Sequence, residues 1–281
     1  MDWLIEILKS LLFGIVEGIT EWLPISSTGH MILLNSVLKL NVSDAFWDMF
    51  LVVIQLGSIL AVLVLFWNRL YPFSTKKSTE EKKSTWALWF HVVVAIIPSG
   101  VIGVLLDDWF DENLHHAVPV AVALIVYGVV FLFLERMPKR KSGEIASANA
   151  VSYKTALLIG LFQVLSLIPG TSRSGSTILG AMLLGLSRTA AAEFSFFMAV
   201  PTMLGASGIK ILKFVMDGQA AVTGGEWLIL VIGCATAFLV SLAAIRYLMD
   251  YVKRHSFAAF GIYRILLGTL VIGAALIGWI Q

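Results

Sequence analysis

Six stretches of the sequence are apolar and long enough to cross a lipid bilayer as an α-helix, which requires about 20 residues. They cover residues 46–67, 86–106, 117–134, 190–214, 227–248 and 257–280. The whole chain is 58% hydrophobic and 14% charged, whereas soluble domains average roughly 45–50% apolar and about 25% charged. We therefore expect an all-α integral membrane protein. The net charge of +2 is too small to indicate a nucleic-acid partner.

Two further apolar regions, residues 3–40 and 153–186, are interrupted near their middle by proline and small hydroxyl residues. Proline removes a helix donor and clashes with the preceding turn, and each half is short for a full crossing. We expect two re-entrant helix–loop–helix hairpins in addition to six transmembrane helices. Their tips are Pro24-Ile25-Ser26-Ser27-Thr28-Gly29 and Pro169-Gly170-Thr171-Ser172-Arg173-Ser174-Gly175.

The two hairpins resemble each other, with Phe13-Gly14-Ile15-Val16-Glu17 matching Ile159-Gly160-Leu161-Phe162-Gln163. Each hairpin is followed by three spans, so a single membrane domain with repeat halves at about 1–137 and 150–281 is predicted. Because three is odd, the halves have inverted topology, an arrangement in which interrupted helices build a polar site near the bilayer midplane. The two tips are therefore expected to face each other.

Loop charges predict the orientation. Lysine and arginine concentrate in residues 68–85 and in the segment that contains the inter-repeat loop 138–152, whereas residues 107–116 carry four acidic residues and neither lysine nor arginine. Basic loops face the cytoplasm. Both termini are then outside.

The first hairpin carries ionisable residues at membrane depth, where charge is expensive and therefore indicates function. Glu17 and Glu21 are four residues apart and project from one face of a helix. Two like charges repel unless a cation lies between them or one is protonated, and a divalent cation or Arg173 would resolve the conflict. The alternative is a pair that faces water near a helix end. Ser26, Ser27 and His30 follow at once, which favours a site.

The second tip has the features of an oxyanion-binding loop. Arg173 offers a planar fork that suits phosphate, and a helix beginning near Ser174 would point its free N–H groups at the loop. Hydroxyl donors are added by Ser172, Ser174, Ser176 and Thr177. The alternative is an ordinary Gly/Ser linker. Asp48, Gln55 and Glu193 either line a cavity at this site or have simple helix-end or packing roles.

Residues 17–30, Glu-Gly-Ile-Thr-Glu-Trp-Leu-Pro-Ile-Ser-Ser-Thr-Gly-His, and residues 169–177, Pro-Gly-Thr-Ser-Arg-Ser-Gly-Ser-Thr, closely resemble the motifs of the bacterial undecaprenyl-diphosphate phosphatase (bacitracin resistance) family. The resemblance implies hydrolysis of undecaprenyl diphosphate to undecaprenyl phosphate, which recycles the carrier lipid of cell-wall synthesis. It also implies bacitracin resistance, dependence on a divalent cation and a multi-pass location in the bacterial inner or plasma membrane. The family's acidic motif corresponds to Glu17 and Glu21. Its serine-rich motifs correspond to Ser26, Ser27 and His30, and to Ser172, Arg173 and Ser174.

On this basis we expect Mg²⁺ or Ca²⁺ to be held by Glu17 and Glu21. The nucleophile is either Ser27, with Ser26 second, or a water activated by Glu21 or the metal, and His30 is an acid or base. Phosphate contacts are expected from Arg173, Ser172, Ser174, Thr177 and Thr28. The partners are a polyprenyl diphosphate lipid and membrane lipid, with a homodimer left open. The main alternative is a transporter or flippase for a polyprenyl phosphate lipid, because inverted repeats with broken helices are also typical of carriers.

Overall fold

The computed structural model describes residues 3–114, 116–137, 145–216 and 222–280. This part of the chain forms eleven α-helices joined by short connections, with no β-strand. The helices are α1 Trp3–Thr20, α2 Ser27–Val37, α3 Asp44–Leu65, α4 Trp67–Leu70, α5 Thr79–Leu114, α6 Ala117–Arg136, α7 Tyr153–Val164, α8 Arg173–Leu183, α9 Arg188–Met216, α10 Gly224–Arg254 and α11 Ala258–Leu276.

Six of these helices are long and apolar enough to span a membrane. They are α3, the Thr79–Leu106 part of α5, α6, α9, α10 and α11, and they coincide with the six stretches predicted from the sequence. Large apolar side chains such as Leu266 and Leu276 point outward and are 65% and 83% exposed. The protein is therefore a multi-pass membrane protein whose outer surface is suited to lipid.

The prediction that residues 107–116 form a connecting loop is wrong for most of that segment. Helix α5 continues to Leu114. It also begins at Thr79, before the predicted span. A helix satisfies its own backbone hydrogen bonds and can extend beyond the hydrocarbon region, so hydropathy marks the end of the apolar segment and not the end of the helix. Of the predicted inter-repeat loop 138–152, residues 138–144 lie outside the described residues.

The two interrupted regions each form a pair of helices separated by a break, α1 and α2 in one and α7 and α8 in the other. Helices α2 and α8 both have 11 residues, and α8 begins at Arg173 where α2 begins at Ser27, an offset of 146 residues. The preceding residues, Ser26 and Ser172, have φ angles of 73° and 71°. Each serine side chain accepts a hydrogen bond from the backbone N–H three residues later, at 3.3 Å and 3.1 Å. The two breaks thus share the same local cap geometry.

Each broken pair packs against a long helix from the other half of the chain. Helix α1 lies along α10, and α7 lies along α5. At Gly160 of α7, an added Cβ would lie 2.0 Å from the carbonyl oxygen of Ala95 in α5, so only glycine allows this backbone approach. Helix α3 approaches α10 equally closely at Gly57. Helices α6 and α11 pack together beside the breaks. This interlocked packing brings the two breaks to one place.

Candidate active site

The two breaks meet through an ion pair between Glu21 and Arg173. Arg173 donates to Oε1 of Glu21 from Nη2 at 3.1 Å and from Nε at 3.3 Å. The side chains of Arg173 and Glu21 are only 9% and 6% exposed. A buried charge is tolerated when it is paired and hydrogen-bonded. The prediction that the acidic hairpin confronts Arg173 is confirmed for Glu21.

The second carboxylate oxygen of Glu21 is bonded to a hydroxyl group. Ser27 Oγ donates to Glu21 Oε2 at 2.8 Å, and Ser27 is 9% exposed. Ser174, from the other break, donates to the main-chain carbonyl oxygen of Glu21 at 3.0 Å. Glu21 is therefore oriented by residues of both breaks. A carboxylate in hydrogen-bond contact with a serine hydroxyl has the geometry of a base beside a nucleophile.

Arg173 is fixed from its other side by helix α9. Its Nη1 donates to the carbonyl oxygen of Ser195 at 2.8 Å and to Ser195 Oγ at 3.3 Å. The guanidinium lies over the ring of Trp22, 5.7 Å from the centroid, a cation–π distance. The arginine is thus held in one orientation with its fork toward Glu21.

Glu17 lies one helical turn before Glu21 and is 1% exposed. Its Oε1 atom has no hydrogen-bond partner among the described residues. Burying a polar atom without a partner costs free energy, and protonation of Glu17 or a bound cation would remove this cost. Glu17, Glu21 and Ser27 carry carboxylate and hydroxyl oxygens, the type of ligand that Mg²⁺ and Ca²⁺ prefer. In the described part of the chain, no group of three or more acidic, histidine or cysteine residues forms a metal cluster.

A cavity of about 600 Å³ lies beside the ion pair, and Ser27, which contacts Glu21, is part of its lining. Glu17, Ser27 and Thr28 line it together with apolar residues of α2 and α3. Asp48 and Gln55 also line the cavity, which is one of the two roles considered for them from the sequence. Glu193 instead forms an ion pair with Arg69 at 2.5 Å. Pockets of 300–1,000 Å³ accommodate small ligands. This one joins a carboxylate and hydroxyl surface to an apolar wall.

His30 lies on α2, one turn after Ser26. Its Nδ1 donates to the carbonyl oxygen of Ser26 at 2.7 Å, and its Nε2 accepts from the hydroxyl of Tyr263 at 2.6 Å. The two rings are stacked, with centroids 5.6 Å apart. Both nitrogens of His30 are therefore engaged, and its ring ties α2 to α11.

The hydroxyl groups predicted to contact phosphate occupy different environments. Thr28 lines the cavity, and Ser172 caps α8 while sharing a 3.1 Å hydrogen bond with Ser174. Ser174 and Thr177 are fully buried. Thr177 donates to the carbonyl oxygen of Arg173 at 2.8 Å and lies 2.7 Å from Ser195 Oγ. In this arrangement Ser174 and Thr177 brace the site, and their contact with phosphate stays a prediction.

Similarity to known proteins identifies the family of the chain. The profile of a family described as bacitracin resistance protein BacA matches residues 10–270. The chain belongs to this family. A relative named undecaprenyl-diphosphatase from Enterococcus faecalis is 57% identical over 270 residues, covering 95% of this chain and 96% of the relative. Relatives of the same name from Streptococcus equi subsp. equi (strain 4047) and Streptococcus pyogenes serotype M4 (strain MGAS10750) are 54% and 53% identical over 268 and 269 residues. These alignments cover 95% and 96% of this chain, and 96% of each relative.

In this member of the BacA family, sequence reasoning missed Arg264 and Tyr263 on α11. Arg264 is completely buried and donates to main-chain carbonyl oxygens of both breaks. The signal was present, because an arginine inside the apolar stretch 257–280 is an ionisable residue at membrane depth. Its partners are carbonyl groups, which no pattern of side chains reveals.

Proposed function

We infer that the protein hydrolyses undecaprenyl diphosphate to undecaprenyl phosphate and inorganic phosphate. This reaction recycles the cell-wall carrier lipid and counters bacitracin, which sequesters the diphosphate. Membership of the BacA family and the undecaprenyl-diphosphatase relatives support the substrate. The observation that carries the chemistry is the contact of Glu21 with both Ser27 and Arg173. It places an acceptor, a hydroxyl and a guanidinium at one point beside a cavity.

Ser27 is the favoured nucleophile. Its Oγ would attack the terminal phosphorus while its proton passes to Glu21 Oε2, and the bond from phosphorus to the oxygen of undecaprenyl phosphate would break. Water would then hydrolyse the phosphoserine and release phosphate. Ser26 is a weaker candidate because its side chain caps α2 by accepting from Gly29 N–H. In the water route, Glu21 would instead take a proton from a water that attacks the terminal phosphorus directly, and phosphate would leave without a phosphoserine intermediate.

The transfer of the Ser27 proton to Glu21 would also allow Arg173 to bind the phosphoryl group. Once Glu21 is protonated, the guanidinium loses the charge that neutralised it and is available for the phosphoryl oxygens. Stabilising the charge on these oxygens is the main task in phosphoryl transfer. A preorganised fork held by Ser195 and Trp22 needs little rearrangement to do this.

The donor set of Glu17, Glu21 and Ser27 supports a divalent cation as cofactor, with Glu17 and Glu21 as ligands. When bound, Mg²⁺ or Ca²⁺ would neutralise phosphate charge and polarise the phosphoryl oxygens. Glu17 contributes an oxygen without a partner among the described residues. His30, with both nitrogens bonded, could transfer a proton only after Tyr263 or Ser26 releases it, so we assign it first to orienting α2.

We also propose that the two broken pairs are re-entrant hairpins in an inverted repeat, with both termini outside. The equal lengths of α2 and α8, the 146-residue offset and the matching serine caps support the repeat. Breaks without regular backbone hydrogen bonding are tolerated at membrane depth only where protein or a cavity surrounds them. The positive-inside distribution of Lys and Arg supports the orientation.

The apolar wall of the cavity suits the start of a prenyl chain. Met31, Ile32, Trp47 and Leu51 line it near the carboxylate and hydroxyl groups. At about 600 Å³, the cavity matches a drug-sized ligand, so we assign it to the diphosphate and the first prenyl units. The remaining chain would lie among membrane lipids.

The deciding experiment supplies detergent-purified protein with undecaprenyl diphosphate and measures released phosphate. Catalytic release that requires protein, together with conversion of the lipid to the monophosphate, is expected. In vesicles that contain the purified protein, movement of labelled lipid from one leaflet to the other without phosphate release would instead identify a transporter and contradict the proposal. Glu80→Gln is a suitable control variant for changes at Glu21, because the Glu80 side chain is 82% exposed.

A further inference from the structure

We infer that Arg264 is a positioning residue for this reaction. Its guanidinium holds the two breaks in register, and this register sets the geometry of Glu21, Ser27 and Arg173. The inference rests on the proposed function, since its readout is hydrolysis. It concerns a residue that lies outside both sequence motifs and contributes no atom to the chemical step.

Arg264 binds main-chain oxygens from both breaks at once. Its Nη1 donates to the carbonyl oxygen of Pro24 at 3.1 Å. Its Nη2 donates to the carbonyl oxygens of Gly170 at 2.7 Å and Thr171 at 2.9 Å. The side chain is 0% exposed. The rigid planar fork of a guanidinium fixes the spacing and angle of the groups that it bridges.

The bridged carbonyl groups lie directly beside the catalytic side chains. Pro24 is three residues from both Glu21 and Ser27, and Thr171 is two residues before Arg173. The break between α1 and α2 is short, and the ring of Pro24 restricts the φ angle of that residue. A shift of one loop relative to the other therefore moves Glu21 relative to Arg173. Misplacing reacting groups by about 1 Å can reduce a rate on the order of 100-fold.

The break between α7 and α8 cannot easily shift if another side chain replaces Arg264. Gly170 has a φ of 93°, and a Cβ at this position would lie 2.4 Å from the carbonyl oxygen of Val120 in α6. The loop is therefore pressed against α6, and Arg264 reaches it from α11. Since α6 and α11 pack together, they form a fixed frame against which the breaks are aligned.

The guanidinium itself is also held in place. It lies over the ring of Tyr127, 5.3 Å from the centroid. The hydroxyl of Tyr127 accepts from Ser176 Oγ of α8 at 3.2 Å. The residue next to Arg264, Tyr263, donates to His30. Two adjacent residues of α11 thus orient both breaks and helix α2, which is the arrangement expected of a support for the site.

The test compares Arg264→Lys with Arg246→Lys in the purified full-length protein. The lysine keeps the positive charge and loses the fork, and Arg246 is an exposed arginine on α10 that serves as the matched control. Phosphate release from undecaprenyl diphosphate gives kcat and KM, and thermal unfolding gives the folded fraction at the assay temperature. We expect kcat per folded molecule to fall about 10- to 100-fold in Arg264→Lys, with KM changed less than about threefold, and no change in Arg246→Lys.

A second readout separates positioning from simple stabilisation. If Arg264 acts through Arg173, then Arg173→Lys should cost less activity in the Arg264→Lys background than in the wild-type background, because Arg173 is already displaced there. A purely stabilising residue would leave the two effects independent. Independent effects, an unchanged kcat per folded molecule, or a change confined to KM would each overturn the inference.

Tyr127→Leu provides the test if Arg264→Lys does not fold. It removes the ring that supports the guanidinium, together with the hydroxyl that accepts from Ser176, and keeps the Arg264 side chain itself. A lower kcat at unchanged KM supports the inference, and an unchanged kcat overturns it. Wild-type protein that releases no phosphate would instead contradict the proposed function, so the two failures are distinguishable.

Discussion

Glu21 and Arg173 are 152 residues apart in the chain, and their side chains meet at 3.1 Å in a buried ion pair. Removing one partner of such a pair leaves the other charge buried and unpaired, which is strongly unfavourable. The pair also links the two halves of the chain at the place where both are broken. Stability and activity are therefore expected to depend on the same contact.

Arg173→Lys should reduce activity even though it keeps the charge. One ammonium group cannot reproduce the two hydrogen bonds to Glu21 together with those to Ser195. We expect kcat to fall about 100-fold or more, comparable to the loss of a transition-state donor. Steady-state phosphate release measures this. Activity equal to that of the Arg246→Lys control would remove the role assigned to Arg173.

Ser27→Ala and Ser26→Ala should have different effects although the residues are adjacent. Ser27 donates to Glu21, whereas the Ser26 hydroxyl caps α2. We expect Ser27→Ala to lower kcat on the order of 1,000-fold, as loss of a nucleophile does. Ser26→Ala should mainly destabilise the protein, by about 1 kcal/mol for a lost cap.

These serine variants are compared by kcat per folded molecule and by thermal unfolding. Acid-quenched reactions with substrate labelled in the terminal phosphate should show label on the protein in wild type and none in Ser27→Ala. A Ser27→Ala protein with near-normal turnover would exclude the serine route and favour attack by water.

Glu17→Gln should weaken binding of a divalent cation more than it affects folding. The buried Oε1 of Glu17 has no hydrogen-bond partner among the described residues, and an amide at this position is a poorer ligand than a carboxylate. We expect Mg²⁺ or Ca²⁺ to raise the melting temperature of wild type, since a ligand that binds the native state stabilises it.

In Glu17→Gln, the cation concentration required for this stabilisation should rise by about tenfold or more. Removing the cation with a chelator should abolish wild-type phosphate release, and adding it back should restore release. Equal cation responses in wild type and Glu17→Gln would show that Glu17 is not a ligand.

Glycine substitutions test the interlocked packing of the two halves. An added Cβ at Gly57 would lie 2.1 Å from the carbonyl oxygen of Cys234, and one at Gly160 would lie 2.0 Å from that of Ala95. Backbone atoms cannot move aside easily, so we expect Gly57→Ala and Gly160→Ala each to destabilise by about 1–3 kcal/mol or more. Gly100→Ala, which would meet no atom within 4 Å, is the control. Equal unfolding temperatures for all three variants would contradict this packing.

Much of the fold could be predicted from the sequence because the bilayer imposes a strong length and composition rule. Six apolar stretches became six candidate spans, and proline with hydroxyl residues marked both breaks. The rule does not report where a helix ends outside the hydrocarbon, and the extension of α5 to Leu114 was missed for that reason. Which helices pack together depends on close backbone approaches such as that of Gly160 to Ala95, which hydropathy cannot show.

The site was predictable where charge appeared at membrane depth. Glu17, Glu21 and Arg173 stood out, and the inferred duplication led to the correct expectation that Glu21 and Arg173 meet. Arg264 was missed because its partners are the carbonyl oxygens of Pro24, Gly170 and Thr171, which every residue possesses. The cofactor, a homodimer and the orientation of the termini stay predictions.

The most direct test is the kcat of Glu21→Gln for phosphate release from undecaprenyl diphosphate, measured per folded molecule against Glu80→Gln. The amide keeps the size of the side chain but cannot take the Ser27 proton or neutralise Arg173. We expect a loss of about 100-fold or more, in the range for general acid–base catalysis, with Glu80→Gln unchanged. A folded Glu21→Gln protein that hydrolyses substrate as fast as Glu80→Gln would contradict the central claim. That claim is that hydrolysis depends on the contact of Glu21 with Ser27 and Arg173.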